Sequence, residues 1–178
     1  MISAQAIDSF EKIFYYAARS RLTVDSAHSC EITPVALPEG ETRTHADVVV
    51  LTISSIFFRL LLILHFDNEQ ATRNYYLGAG QGTLEESLLE VSNLCCGAMN
   101  QQLVEYFPDL GMSTPYLLSS GCVPYLDQLK PDHVSSYRVM IGDSVRLGAT
   151  LCLCADAPLD FAAKVSDTTE SVGELELF

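Results

Sequence analysis

The run from Ala46 to Phe66 is almost continuously apolar and about as long as a bilayer-spanning helix, so it forces a choice between membrane and sheet core. Ser54 and Ser55 interrupt its middle, and Arg59 follows at a depth where a charge in lipid is costly. Val48, Val49, Val50, Thr52, Ile53 and Ile56 load the run with β-branched side chains, which suit a pleated surface better than a helix. Two consecutive buried strands, near 46–53 and 56–66 and meeting at the serines, account for all of these residues. The chain therefore reads as a domain built around a β-hairpin, with no membrane span.

Other elements follow from periodicity and punctuation. Ser3 to Arg21 reads as a helix, with Ile7, Phe10, Phe14, Ala17 and Ala18 on one side. Leu22 to Leu37 reads as extended, and Pro38-Glu-Gly40-Glu as a loop. Asp67 is the expected cap of a short helix that runs through Asn74 and stops near Gly78. Gly78-Ala-Gly80-Gln-Gly82 lacks the Lys-Ser/Thr ending of a phosphate loop and reads as a linker. Thr83-x-x-Glu86 is a capping-box pattern opening a long helix expected to end at Phe107-Pro108. Met112 to Leu118 reads as an edge strand interrupted by Pro115. Val134–Ile141 and Val145–Cys154 read as a last hairpin around Gly142-Asp143. The expected fold is an α/β sandwich of the α+β type, a mainly antiparallel sheet with long helices packed on it. One domain is expected over 1–158, followed by a loosely held acidic tail over 159–178.

Charge narrows the partners. Ten Lys+Arg against 23 Asp+Glu in 178 residues give a net charge of −13. That argues against nucleic acid and against an anionic membrane surface, both of which recruit cationic side chains. The six cysteines form no CxxC pair and stand at no zinc-finger distance from a histidine, so no metal site is expected. The Met1 end carries no secretory pattern, and free thiols in a reducing cytoplasm are the expected state.

Chemistry concentrates on the long helix. At about 100° per residue, Glu90, Asn93, Gly97 and Asn100 share one side, roughly opposite the apolar Leu84, Leu88, Val91, Cys95 and Ala98. An amide donates and accepts at once and can orient a water, whereas a carboxylate only accepts. A glycine one turn beyond permits close approach of another backbone. Cys95-Cys96 has no Lys, Arg or His near it in sequence to lower a thiol pKa, so packing is its expected role.

Glu90-x-x-Asn93-x-x-x-Gly97, followed by Thr114-Pro115 and a Ser-Ser-Gly121 ending, resembles the CheC/CheX/FliY family of chemotaxis phosphatases. The order of helix, paired strands, short helix and long helix is similar to the CheX layout, over roughly residues 3–155. The resemblance implies a phosphatase-like domain whose long helix docks on a phosphorylated CheY-like response regulator. In that scheme Asn93 orients the attacking water and Glu90 pairs with the regulator's active-site lysine. Glu86, Gly97, Asn100 and Pro115 are implied in partner binding. No cofactor of its own is needed, since the receiver holds magnesium. Ala98 stands where the family commonly has Asn, and Glu86 where Asp or Ser is usual, which leaves a non-hydrolysing receiver-binding adaptor as the alternative. The single Glu-x-x-Asn copy is CheX-like and implies a homodimer. The apolar strand Val145–Cys154, with Arg146 as its only charge and no proline, is the expected pairing edge.

Overall fold

A computed structural model describes residues 1–25, 27–36, 47–78 and 82–165. In chain order these form α1 (Ala4–Arg21), β1 (Cys30–Val35), β2 (Asp47–Ser54), β3 (Phe58–Phe66), α2 (Gln70–Leu77) and α3 (Leu84–Leu103). They continue with β4 (Gly111–Met112), β5 (Tyr116–Ser119), a 3-10 helix (Ser120–Leu129), β6 (His133–Ile141) and β7 (Val145–Ala155). All strands join one antiparallel sheet in the order β1-β6-β7-β3-β2-β4, with β5 also on β2.

The apolar run is indeed a hairpin. Val48 pairs with His65 and Ser54 with Arg59 across the β2–β3 ladder. Both faces of these strands are covered, which explains why the sequence does not alternate cleanly. Val49, Leu51, Ile53, Leu60, Leu62 and Leu64 point into the main core beneath the helices. Val48, Val50 and Ile63 point the other way and pack with Val123 and Leu126 of the 3-10 helix. Pro124 inside that segment removes a donor, and the resulting tight short-range geometry escaped sequence periodicity.

The helices form a layer on the main core. Ser3 caps α1 by accepting from the Ala6 N–H at 3.0 Å, and Phe10, Ile13, Phe14 and Ala17 are buried. Thr83 and Glu86 form the expected capping box at the start of α3. Three boundaries differ from expectation. The N-cap of α2 is Glu69, not Asp67, and its side chain makes no cap hydrogen bond. Helix α3 ends at Leu103, before Phe107-Pro108, because Phe107 turns inward and stacks edge-on with Phe58 at 5.0 Å. Packing also continues past residue 158. Leu159 is buried, and Phe161 meets Phe10 and Phe107 with centroids 5.1 Å apart in each case. Ser9 Oγ donates to the Phe161 carbonyl at 3.0 Å and accepts from the Ala163 N–H at 2.9 Å, strapping this segment across α1. The Pro38 loop, residues 79–81 of the glycine linker and the tail beyond Val165 lie outside the described residues.

One expectation is overturned. Strand β7 is not an edge: β6 and β3 flank it along nearly its whole length. Its lack of charge reflects central burial, which demands the same composition as an aggregating edge. The sheet instead ends at β1, which contains Pro34 where a missing donor is tolerated, and at β4 with β5.

Candidate functional site

Helix α3 has two faces set by its sequence. Leu88, Val91, Ser92, Cys95, Cys96, Met99 and Leu103 are buried against the sheet and α1. Ser92 hides its hydroxyl by donating to the Leu88 carbonyl at 2.6 Å, which is how a polar residue sits at a core position. The opposite face carries Glu90, exposed, with Asn93 and Gly97 half-buried beside it. Among the described residues no protein hydrogen bond engages the side chain of either Glu90 or Asn93. A carboxylate and an amide therefore stand on one face with their hydrogen-bonding capacity unspent. A Cβ built at Gly97 would meet no atom within 4 Å, so this glycine is not required by packing inside the domain.

The other sequence candidates divide differently. Glu86 is exposed, but its Oε2 accepts from the Thr83 N–H and the Thr83 hydroxyl, each at 3.0 Å. Those bonds hold its carboxyl below the usual glutamate range. Its carboxylate is thus committed to the helix start. Asn100 sits at the flank of the stripe, and its Oδ1 is shielded from solvent without a protein partner. Pro115 lies between β4 and β5, on the sheet edge rather than on α3. The structure brings Glu90, Asn93 and Gly97 together as one surface and leaves Pro115 on a separate element. Missed by the sequence reading were Leu94 and Val104, large apolar residues 48 % and 45 % exposed on the same outer face. Their helical phase relative to Glu90 was the available signal.

The two cysteines of this helix are inert by burial. Cys95 and Cys96 are both buried, and desolvation raises both thiols, that of Cys96 to about 12. All six cysteines are unpaired. Among the described residues no His, Cys, Asp or Glu cluster has metal-holding geometry, and no helix is long and apolar enough to cross a membrane. A groove of about 320 Å³ lies elsewhere, lined by Lys12, Tyr15, Tyr16, Arg19 and Lys164, and no residue of the α3 stripe borders it.

No protein-family model and no curated protein matches the sequence. Solved structures do match. Chemotaxis protein CheX from Vibrio vulnificus superposes with a TM-score of 0.57 at 16% identity, over 81% of this chain and 98% of that one. The CheX-CheY-BeF3-Mg complex from Borrelia burgdorferi gives 0.56 at 12% identity, over 83% and 97%. The FliM middle domain from Vibrio alginolyticus gives 0.52 at 10% identity, over 84% and 92%. An antiparallel sheet with a helix layer, and near-complete coverage of these compact domains, establish that this chain has the fold of the CheX and CheC-like chemotaxis proteins.

Proposed function

We propose that this protein docks the outer face of α3 on a phosphorylated CheY-like receiver and accelerates hydrolysis of its aspartyl phosphate. The observation that carries the reading is the pairing of Glu90 and Asn93, unengaged and on one solvent-facing side of α3, within a fold also found in a CheX-CheY complex. Chemistry makes few demands here. An acyl phosphate is already activated, and a receiver supplies its own magnesium, so the added factor is an aligned water. Asn93 accepts from that water with its Oδ1 or donates to it with its amide, fixing the in-line approach. Glu90, one turn away, pairs with a lysine of the receiver and sets the docking register. The buried thiols of Cys95 and Cys96 take no part in this scheme.

Incubating the protein with phosphorylated receivers of the same genome and following phosphate loss in magnesium tests this directly. Acceleration by the wild type, lost in Asn93→Ala with an unchanged melting temperature, supports it. An unchanged decay rate at saturating protein sinks the enzymatic reading.

A second reading is a receiver-binding adaptor that hydrolyses nothing. Two observations favour it: Ala98 faces the core and offers no amide, and Asn100 keeps its Oδ1 shielded. Binding retained without catalysis would select it. The homodimer belongs to the same proposal, now through β5, whose Tyr116, Leu117 and Leu118 are exposed on an outer strand. A monomer mass at micromolar concentration would remove it.

A further inference from the structure

The outer face of α3 changes character along its length. Its first two turns expose Glu85, Glu86 and Glu90. From Val91 to Val104 no residue carries a charge, although 19% of the chain is charged. The exposed and half-buried residues there are Asn93, Leu94, Gly97, Asn100, Gln101, Gln102 and Val104. A helix face left to water normally carries Lys, Arg or Glu, whereas the centre of a protein interface is depleted of charge and retains apolar anchors. Leu94 is one turn from Glu90 and adjacent to Asn93, so the apolar surface begins beside the reactive pair. Val104 ends it, about 20 Å along the helix from Glu90, a length that one standard protein interface covers.

We infer that the uncharged stretch from Leu94 to Val104, anchored by those two side chains, is the affinity-determining half of the receiver contact. Its occupant is a receiver face bearing an apolar strip that leads away from the phosphoaspartate. This rests on the proposed receiver docking, and continuity with the Glu90–Asn93 surface is what selects a receiver over any other apolar partner. The division of labour is physical. Glu90 and Asn93 act on charge and water at one end, while burial of Leu94 and Val104 holds the complex together at the other.

The test is the double variant Leu94→Ser with Val104→Ser, assayed as receiver dephosphorylation over a range of phosphoreceiver concentrations. Binding to receivers carrying beryllofluoride and magnesium is measured in parallel. The expected result is a KM and a Kd raised about tenfold or more with kcat within twofold of wild type. Asn93→Ala should do the reverse, lowering kcat with KM nearly unchanged. Tyr125→Ser, which removes an exposed aromatic from the 3-10 helix on the other side of the sheet, should change neither. Denaturation midpoints confirm that each variant folds. Unchanged KM and Kd in the double variant, with an active wild type, overturn this inference and leave the receiver reading standing. A change in oligomeric mass caused by the double variant also overturns it, because a second copy then covers the face. A wild type that neither binds nor acts on any receiver overturns both.

Discussion

The two faces of α3 are built from one stretch of sequence under opposite rules. On the inner face every side chain is specified by its neighbours: Met99 and Cys95 are fully buried, and Ser92 is tolerated only because its hydroxyl returns to the Leu88 carbonyl. On the outer face Glu90, Asn93, Leu94 and Gly97 owe nothing to packing within the domain. Side chains that stand on a surface without a folding reason are where function is to be sought, and that is the lesson of the contrast. The inner face should respond to mutation chiefly in stability, and the outer face, on the proposed function, chiefly in activity and binding.

Four substitutions try to break that separation. The largest effect is expected at the inner face, where Met99→Ala should cost about 2–5 kcal/mol of stability, read by chemical denaturation. A loss under about 1 kcal/mol would mean that the helix repacks and its position is not fixed by this contact. Next comes Glu90→Ala, which should weaken receiver binding by about tenfold or more at low salt and less at high salt. Its effect on stability should stay within about 0.5 kcal/mol, and calorimetry at two ionic strengths checks both.

The third substitution sharpens the boundary between the faces. Thr83→Ala removes the capping hydroxyl and should cost about 1 kcal/mol, with little effect on binding. The Thr83 bonds lower the folded-state pKa of Glu86, so this cap is intact above the ordinary glutamate range. Its contribution fades as pH falls through the depressed folded value. Thermal melts of wild type and Thr83→Ala should therefore converge on acidification. The smallest effect is expected from Gly97→Ala, and its two readouts should oppose each other. The added Cβ meets nothing within 4 Å, so helix propensity should raise stability by about 0.5–1 kcal/mol. On the proposed docking, receiver affinity should fall, because the same methyl would occupy the surface offered to the receiver. Affinity unchanged by the methyl would remove Gly97 from the contact.

Much of this was legible in the residues. The serines, the arginine and the β-branched load between Ala46 and Phe66 were enough to select a hairpin over a membrane helix. Thr83-x-x-Glu86 located the start of α3, since a capping box is a local hydrogen-bond pattern needing no tertiary context. Glu90 and Asn93 could be placed on one face because helical phase is fixed by sequence spacing. Gly142, at φ 55°, turns the last hairpin where Gly142-Asp143 marked the turn.

What the sequence could not assign was order in space. Composition separates buried strands from exposed ones, but a central strand and a sticky edge demand the same apolar residues, so β7 was placed at the wrong position. Only the long-range pairings of β7 with β6 and β3 decide it. Leu159 and Phe161 follow a proline in an acidic region and read as tail. Phe161 packs on an aromatic cluster drawn from Phe10, Phe58 and Phe107, and buried Leu159 bridges to Ile2, all residues far apart in the chain. Glu86 is a partner-binding candidate whose carboxylate the fold shows accepting from the Thr83 N–H and hydroxyl. Local periodicity thus determined most of the elements, the hairpin and the polar stripe of α3 by itself. Strand order, the reach of the core and which polar groups remain free were decided by contacts between distant residues, which no window of sequence contains.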